Sequence, residues 1–293
     1  MNSTATADAR PAADAEAGSN QTGARPPSDT RRLGAGRAAS RIVMGAAGTL
    51  MGLALWEALP RLGVLPAEHI PPASQVLIAL AGLLITGKFW GDVLATMQGW
   101  AVGLLISTVV AVPLGLLIGA NEYLYRATKA IVEFLRPIPS VALIPLAILV
   151  YGITFPMKVF LVTFATFWPI LIQSIYGVQD VDPVARDTAR SFGLGRLTTF
   201  LRVTLPSASP YVATGLRLAS SLALILAITA ELVAGVPGLG KSILIAQSGG
   251  NSAVMYALIV ATGLLGYGLS ALFSRGEKRV LRWHASQRKA EGT

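Results

Sequence analysis

Residues 97–120 read MQGWAVGLLISTVVAVPLGLLIGA, from Met97 to Ala120, without a single charged side chain. A helix crossing about 30 Å of hydrocarbon needs roughly 20 such residues. A helix apolar all round has no face for water, so this stretch predicts a transmembrane span. Working outward, five further runs have similar character: 42–59, a helix ending in 138–153, 157–176, 211–235 and 253–273. Glu133 and Arg136 interrupt the first half of the 138–153 helix and leave its clean run short. Between the first two spans, 75–84 predicts a shorter amphipathic helix outside the bilayer, entered through the turn His69-Ile70-Pro71-Pro72. The expected fold is therefore all-α and polytopic, with about six transmembrane helices.

Composition supports a lipid environment. Hydrophobic residues make up 53% of the 293 and charged residues 13%, against roughly 25% charge in soluble domains. With no cysteine in the chain, disulfides, thiolate metal sites and cysteine nucleophiles are excluded. Both histidines, His69 and His284, lie outside the apolar runs, which leaves little material for metal or acid–base chemistry, and the spans lack the buried Ser–His, paired Asp or His–Glu spacing that an intramembrane protease needs. Residues 1–40 hold almost no large apolar side chains, which predicts a disordered tail. Arg31-Arg32 in that tail reads as an ordinary basic flank, because no small-residue cleavage site follows it and many spans do.

The net charge of +9 does not point to nucleic acid, because it is sorted by membrane side. With the N-terminus inside, the inner segments carry six Lys and Arg up to and including Arg41, three in 126–136, five in 186–217 and six after Phe273. Only Arg61, Lys88, Lys158 and Lys241 fall outside, giving twenty inner against four outer basic residues of the 24. That asymmetry predicts a multi-pass protein with both termini cytoplasmic.

The inner segment 180–209 has a pattern of its own. Asp182 suits an N-cap and Pro183 the first helical position, and Gly193 suits a left-handed stop. Leu197, Phe200, Leu201 and Leu205 recur at helical spacing, and Pro206 is expected to end that second helix before the next span. Two short helices around a glycine turn form a knob that a cytoplasmic partner can grip, or else a connector with no partner.

The spacing Asp187-Thr188-Ala189, three residues, Gly193, nine residues, Val203-Thr204-Leu205-Pro206 resembles the E-A-A…G…I-x-L-P loop of binding-protein-dependent ABC importer permeases. Asp for Glu, Thr for Ala and Val for Ile are its departures. Trp56, Arg136-Pro137-Ile138-Pro139 with Ile144-Pro145, Thr214-Gly215-Leu216-Arg217 and Gly238-Leu239-Gly240 resemble the aliphatic sulfonate, taurine and nitrate importer permeases. The resemblance covers about residues 45–285.

It implies a type I (MetI-like) permease domain over 41–285 and a C-terminal cytoplasmic tail over 286–293. The implied partners are a second copy of the permease, two copies of a cytoplasmic ATPase subunit and a periplasmic substrate-binding protein. The loop's first helix would couple to the ATPase, which would hold the ATP and magnesium, so this chain would bind no cofactor and catalyse nothing. The setting would be the bacterial inner membrane and the cargo a small organosulfonate, taurine or nitrate-like anion.

Two further features need placing. Gly235-Val-Pro-Gly-Leu-Gly240-Lys241-Ser242 matches the G-x-x-x-x-G-K-[ST] phosphate loop letter for letter. That loop works only between a buried strand and a helix. Here it follows a membrane span on the outer side, so a flexible glycine turn re-entering toward the pore mouth is expected.

Ionisable groups at membrane depth are functional candidates by default. Glu231, near the outer end of the fifth span, either lines the gate, pairs with a basic residue across the interface, or reaches water at the surface. Arg136, Pro137 and Pro139 mark a proline-dense element beside the pathway, moving or statically kinked. Arg217 is expected to snorkel to the interface or to meet the loop. Small residues at Gly103, Ser107, Gly115 and Gly119, and again at Gly263, Gly266, Gly268 and Ser270, predict close helix approach. The rival function is an ion-coupled secondary transporter using Glu231, although such folds usually carry more spans and internal repeats.

Overall fold

The computed structural model describes residues 30–280. Residues 1–29 of the expected tail over 1–40, the expected tail over 286–293, and His284 lie outside these residues. The chain divides into two units at Leu53–Ala54, and the side-chain contacts below all belong to the second. Among the described residues there are helices and no strand. That is what lipid demands, since a helix satisfies its own backbone polar groups.

Helix α1 (Thr30–Arg61) starts inside the stretch expected to be a disordered tail. Ala, Arg and Leu, which cost little in a helix, recur over its first residues. Beyond Ala54 its end is clipped to α2 (Ala73–Leu84). Glu57 accepts from the Ser74 N–H and hydroxyl, both at 2.9 Å, and the Trp56 indole N–H donates to the Pro71 carbonyl at 3.2 Å. Val76 and Leu80 of α2 pack into a core with Ala257, Leu258 and Ala261.

Three long helices build the centre: α3 (Gly87–Ala120), α6 (Phe155–Gln179) and α9 (Leu205–Ala234). Their close approaches fix the directions. On α3, a Cβ at Gly103 would lie 2.5 Å from Val162 Cγ1 and one at Gly115 2.6 Å from Ser174 Cβ, so α3 and α6 run parallel. Gly177 meets Ala208 and Tyr211, while Glu231 meets Lys158, so α9 runs back along α6. Ala111, Val162, Ile170, Ala219 and Ala227 close the core between them, and Trp100 ties α3 to α9 by donating to the Ser220 carbonyl at 2.9 Å. Leu105, Val109 and Leu117 of α3 face outward, as a lipid-facing side requires.

Among the described residues, five helices are long and apolar enough to cross a membrane, and a bent pair makes a sixth if counted as one span. That pair corrects the expectation of one helix ending in 138–153. α4 (Glu122–Leu135) stops, a 3₁₀ turn follows at Ser140–Leu143, and α5 (Ile144–Tyr151) leaves at 79° to α4. Pro137 and Pro139 have no N–H with which to continue α4. α4 is also too polar for a simple span, with Glu122–Arg126 and Lys129–Glu133 paired along its length.

The segment after α6 folds into α7 (Pro183–Ser191) and α8 (Arg196–Thr199). Pro206 does not end the second helix as expected. The chain runs from α8 through a π-helical turn, Phe200–Thr204, directly into α9. Leu205 N–H bonds the Phe200 carbonyl five residues back, and Pro206 falls in α9's first turn, where a missing N–H costs little. After α9, α10 (Leu239–Ser248) and α11 (Ser252–Val280) complete the chain. The small-residue expectation holds on α3 and fails on most of α11, where a Cβ at Gly263 or Gly268 would meet nothing within 4 Å.

Candidate functional site

The two ends of the α6–α9 pair are built on opposite principles. At the end where α6 begins, Lys158 and Glu231 are 1% and 0% exposed and form an ion pair of 2.8 Å. Lys158 Nζ also donates to the Ala95 and Pro237 carbonyls at 2.9 and 3.1 Å, which uses all three of its protons. Glu231 Oε2 accepts from the Thr96 hydroxyl at 2.9 Å and the Gly240 N–H at 3.0 Å. Thr96 Oγ1 in turn accepts the Leu239 N–H at 3.0 Å. A buried pair is tolerable in low dielectric only when its remaining lone pairs and protons are satisfied in this way.

Glycines make the room. A Cβ at Gly238, whose φ is +149°, would lie 2.1 Å from Glu231 Cδ, and one at Gly240 2.3 Å from the Ile228 carbonyl oxygen. A Cβ at Gly99 would lie 2.6 Å from Lys158 Cε.

This network also accounts for the phosphate-loop pattern. The Gly240 amide, which would cradle a phosphate, is bonded to Glu231, and the Ser242 hydroxyl donates to Asp92 at 2.6 Å with Lys88 alongside. Val236 and Leu239 are buried, so the expected flexible turn is a fixed plug filled by the chain's own carboxylate.

At the opposite end, the 180–209 segment projects. Asp182 caps α7 by accepting the Val184 N–H at 2.8 Å, and Gly193 turns the chain at φ +74° with open space around it. The base is tied down, since the Tyr211 hydroxyl donates to Asp180 at 2.6 Å and Arg186 donates to the Val178 carbonyl. The top is bare: Val184, Phe192 and Leu197 are 69%, 80% and 72% exposed. Asp187 and Thr188 face outward, whereas Ala189 is buried. Val203 and Leu205 are half-buried and Pro206 is exposed.

Between the two ends lies a cavity of about 440 Å³. Arg136, Pro137 and Pro139 line it from the α4–α5 bend, Trp168 and Gln173 from α6, and Leu218, Leu222 and Leu226 from α9. Among the described residues, Arg136 is its one charged lining group.

A family model described as the binding-protein-dependent transport system inner membrane component matches residues 111–282. The chain belongs to this family. The permease is 33% identical over 195 residues to the nitrate import permease protein NrtB of Leptolyngbya laminosa, covering 67% of this chain and 70% of that protein. It is 30% identical over 241 residues to the putative aliphatic sulfonates transport permease protein SsuC of Escherichia coli K12, covering 82% and 92%. A chain of the MetNI methionine ABC transporter solved in an inward-facing form shares its fold, with a TM-score of 0.59 at 21% identity, over 67% of this chain and 97% of that one. The expected MetI-like ABC importer permease fold is therefore borne out, and the ion-coupled alternative is not favoured.

The structure groups the permease's expected site residues into two sets and separates one residue from both. Arg136, Pro137 and Pro139 share the cavity, and Asp187, Thr188, Ala189 and Gly193 share the projecting segment. Glu231 lines neither. Its carboxylate is sealed from solvent and already paired within the chain, which corrects the expectation that it lines the gate or reaches surface water. Lys158, expected as an outer flanking residue, is its buried partner. The available signal was complementarity: Lys158 is the lone charge of the run 157–176, and Glu231 is the lone anion of the run 211–235, whose one cation, Arg217, lies near its opposite end. Arg217 meets Glu277 of α11 at 3.2 Å, not the projecting segment.

Proposed function

We propose that this permease carries a small anion, of organosulfonate, taurine or nitrate type, inward across the bacterial inner membrane. Two copies of the chain form the pathway, two cytoplasmic ATPase subunits bind ATP and magnesium, and a periplasmic binding protein delivers the cargo. Both termini and the 180–209 segment face the cytoplasm in this reading, in line with the twenty-to-four asymmetry of basic residues.

The observation that carries the proposal is the projecting segment. A tied base and a bare apolar top, Val184, Phe192 and Leu197, suit insertion into a groove of a soluble partner. Asp187, Thr188, Ala189, Gly193, Val203, Leu205 and Pro206 shape that segment, and α6 and α9 carry its displacement into the membrane. The cavity beside Arg136, Pro137 and Pro139 is the pathway wall. A single cation among mainly apolar groups suits a small anion, and relatives named for sulfonate and nitrate transport favour the same cargo.

The chain has no cysteine of its own, which makes the test direct. Thr188→Cys, on the exposed side of α7, is expected to cross-link to the ATPase subunit with a yield that changes when ATP is added. A site that labels from the cytoplasm yet never cross-links to an ATPase sinks the coupling assignment.

A further inference from the structure

We propose that Lys158 and Glu231 are positioning residues for transport, fastening α3, α6, α9 and the start of α10 into one body that turns as a unit when the 180–209 segment is displaced. The inference rests on the ATP-driven reading above. α6 leads into that segment and α9 leads out of it, so a push there reaches both helices at one end. At the other end Lys158 and Glu231 join them at 2.8 Å, and Ala95, Thr96, Pro237 and Gly240 bring in the neighbouring elements. The cavity wall lies between push and fastening: Ala165, Trp168 and Gln173 on α6, and Leu218, Leu222 and Leu226 on α9. Two helices free at their far ends would slide past each other. Two helices joined there rotate the wall.

The fastening has a direction. Lys158 faces two carbonyl oxygens, whereas Glu231 faces a hydroxyl and a backbone N–H. Exchanging the charges would aim a carboxylate at carbonyls and an ammonium at an amide proton. A salt bridge valued only for attraction survives such an exchange, and this one would not.

The test uses the complete transporter in vesicles, with its binding protein and ATPase subunits, and reads ATP hydrolysed per substrate moved. The neutral pair Lys158→Met with Glu231→Gln keeps the bulk and leaves no unpaired buried charge. It is expected to assemble and hydrolyse ATP, with the ratio raised about fivefold or more, the low end of ordinary coupling between sites. An assembled double variant with a wild-type ratio overturns the proposal. Should the double variant fail to accumulate, Thr96→Val carries the test. It removes one bond to the carboxylate and the acceptor of the Leu239 N–H while leaving the charges paired, so it should raise the ratio by a smaller factor, and an unchanged ratio again overturns the proposal. Lys158→Glu with Glu231→Lys is expected to be lost from the membrane; its accumulation with a normal ratio also overturns it. A wild-type chain that never associates with an ATPase would refute the importer reading, a result distinct from all of these.

Discussion

The Lys158–Glu231 end and the 180–209 end terminate the same two helices, yet share almost nothing in construction. At the first, each proton of the ammonium and both carboxylate oxygens have partners inside the chain, and glycines bring backbone against side chain. At the second, Val184, Phe192 and Leu197 stand open and the exposed Arg190–Asp187 pair, at 3.6 Å, is of the kind that contributes little. On the proposed reading, the contrast separates where this protein is finished from where it awaits another molecule. A completed network resists substitution for reasons internal to the chain. An unfinished surface tolerates substitution until its partner is present.

The largest expected effect comes from breaking the finished end. Gly238→Val drives a side chain into the Glu231 carboxyl and is expected to remove the protein from the membrane fraction. Expelling one member of a buried pair costs roughly 3–5 kcal/mol, and an immunoblot of membranes would read it.

Next comes the turn at the unfinished end. Gly193→Trp is expected to abolish transport with membrane insertion intact. Its backbone penalty is about 1–2 kcal/mol for a left-handed residue and no neighbour is struck. Uptake and membrane abundance measured together distinguish this from unfolding, and normal uptake would refute a role for the turn.

Val184→Ser with Phe192→Ser sharpens the comparison further. The melting of the purified permease alone should shift by only about 0.5 kcal/mol. Co-purification of the ATPase should fall tenfold or more, since exposed aromatic anchors contribute roughly 2 kcal/mol when buried at an interface. Equal loss of both would show that the bare surface packs within the chain.

The smallest effects separate the two glycine stripes. Gly115→Ala on α3 forces a contact 2.6 Å from Ser174 Cβ and should cost about 1–3 kcal/mol. Gly268→Ala on α11 meets nothing and should be neutral within about 0.5 kcal/mol. Thermal unfolding in detergent would test both.

Local chemistry made much of this legible in the sequence. Apolar length marked five of the spans, Asp182-Pro183 and Gly193 marked the limits of α7, and the proline run marked a kinked element without showing that α4 and α5 are separate helices. What escaped depended on distant partners. Lys158 looks like a flanking cation because its neighbours in sequence are the first residues of a span. Only the packing of α3 and α9 against α6 makes that position interior. Gly238 and Gly240 look like a loose turn until the carboxylate that fills them is seen. Gly263 and Gly268 show the reverse, because small residues permit close approach without supplying a helix to approach. Pro206 misled for a subtler reason: a helix can pass a proline when the turn before it widens.

That widened turn, Phe200–Thr204, has a consequence for lineage as well as shape. An α-helix advances about 100° per residue, and the turn closed from Leu205 back to Phe200 takes up one residue more than an α-turn would in about the same sweep. Deleting a single residue there would restore an unbroken α-helix and leave α7 close to its place around the axis of α9. The same deletion in the α-helical stretch that follows would swing α7 by about 100°, with apolar top and lipid-facing side both intact and no longer in register. The widened turn should therefore buffer insertions and deletions that would otherwise estrange a permease from its motor without altering one contact surface.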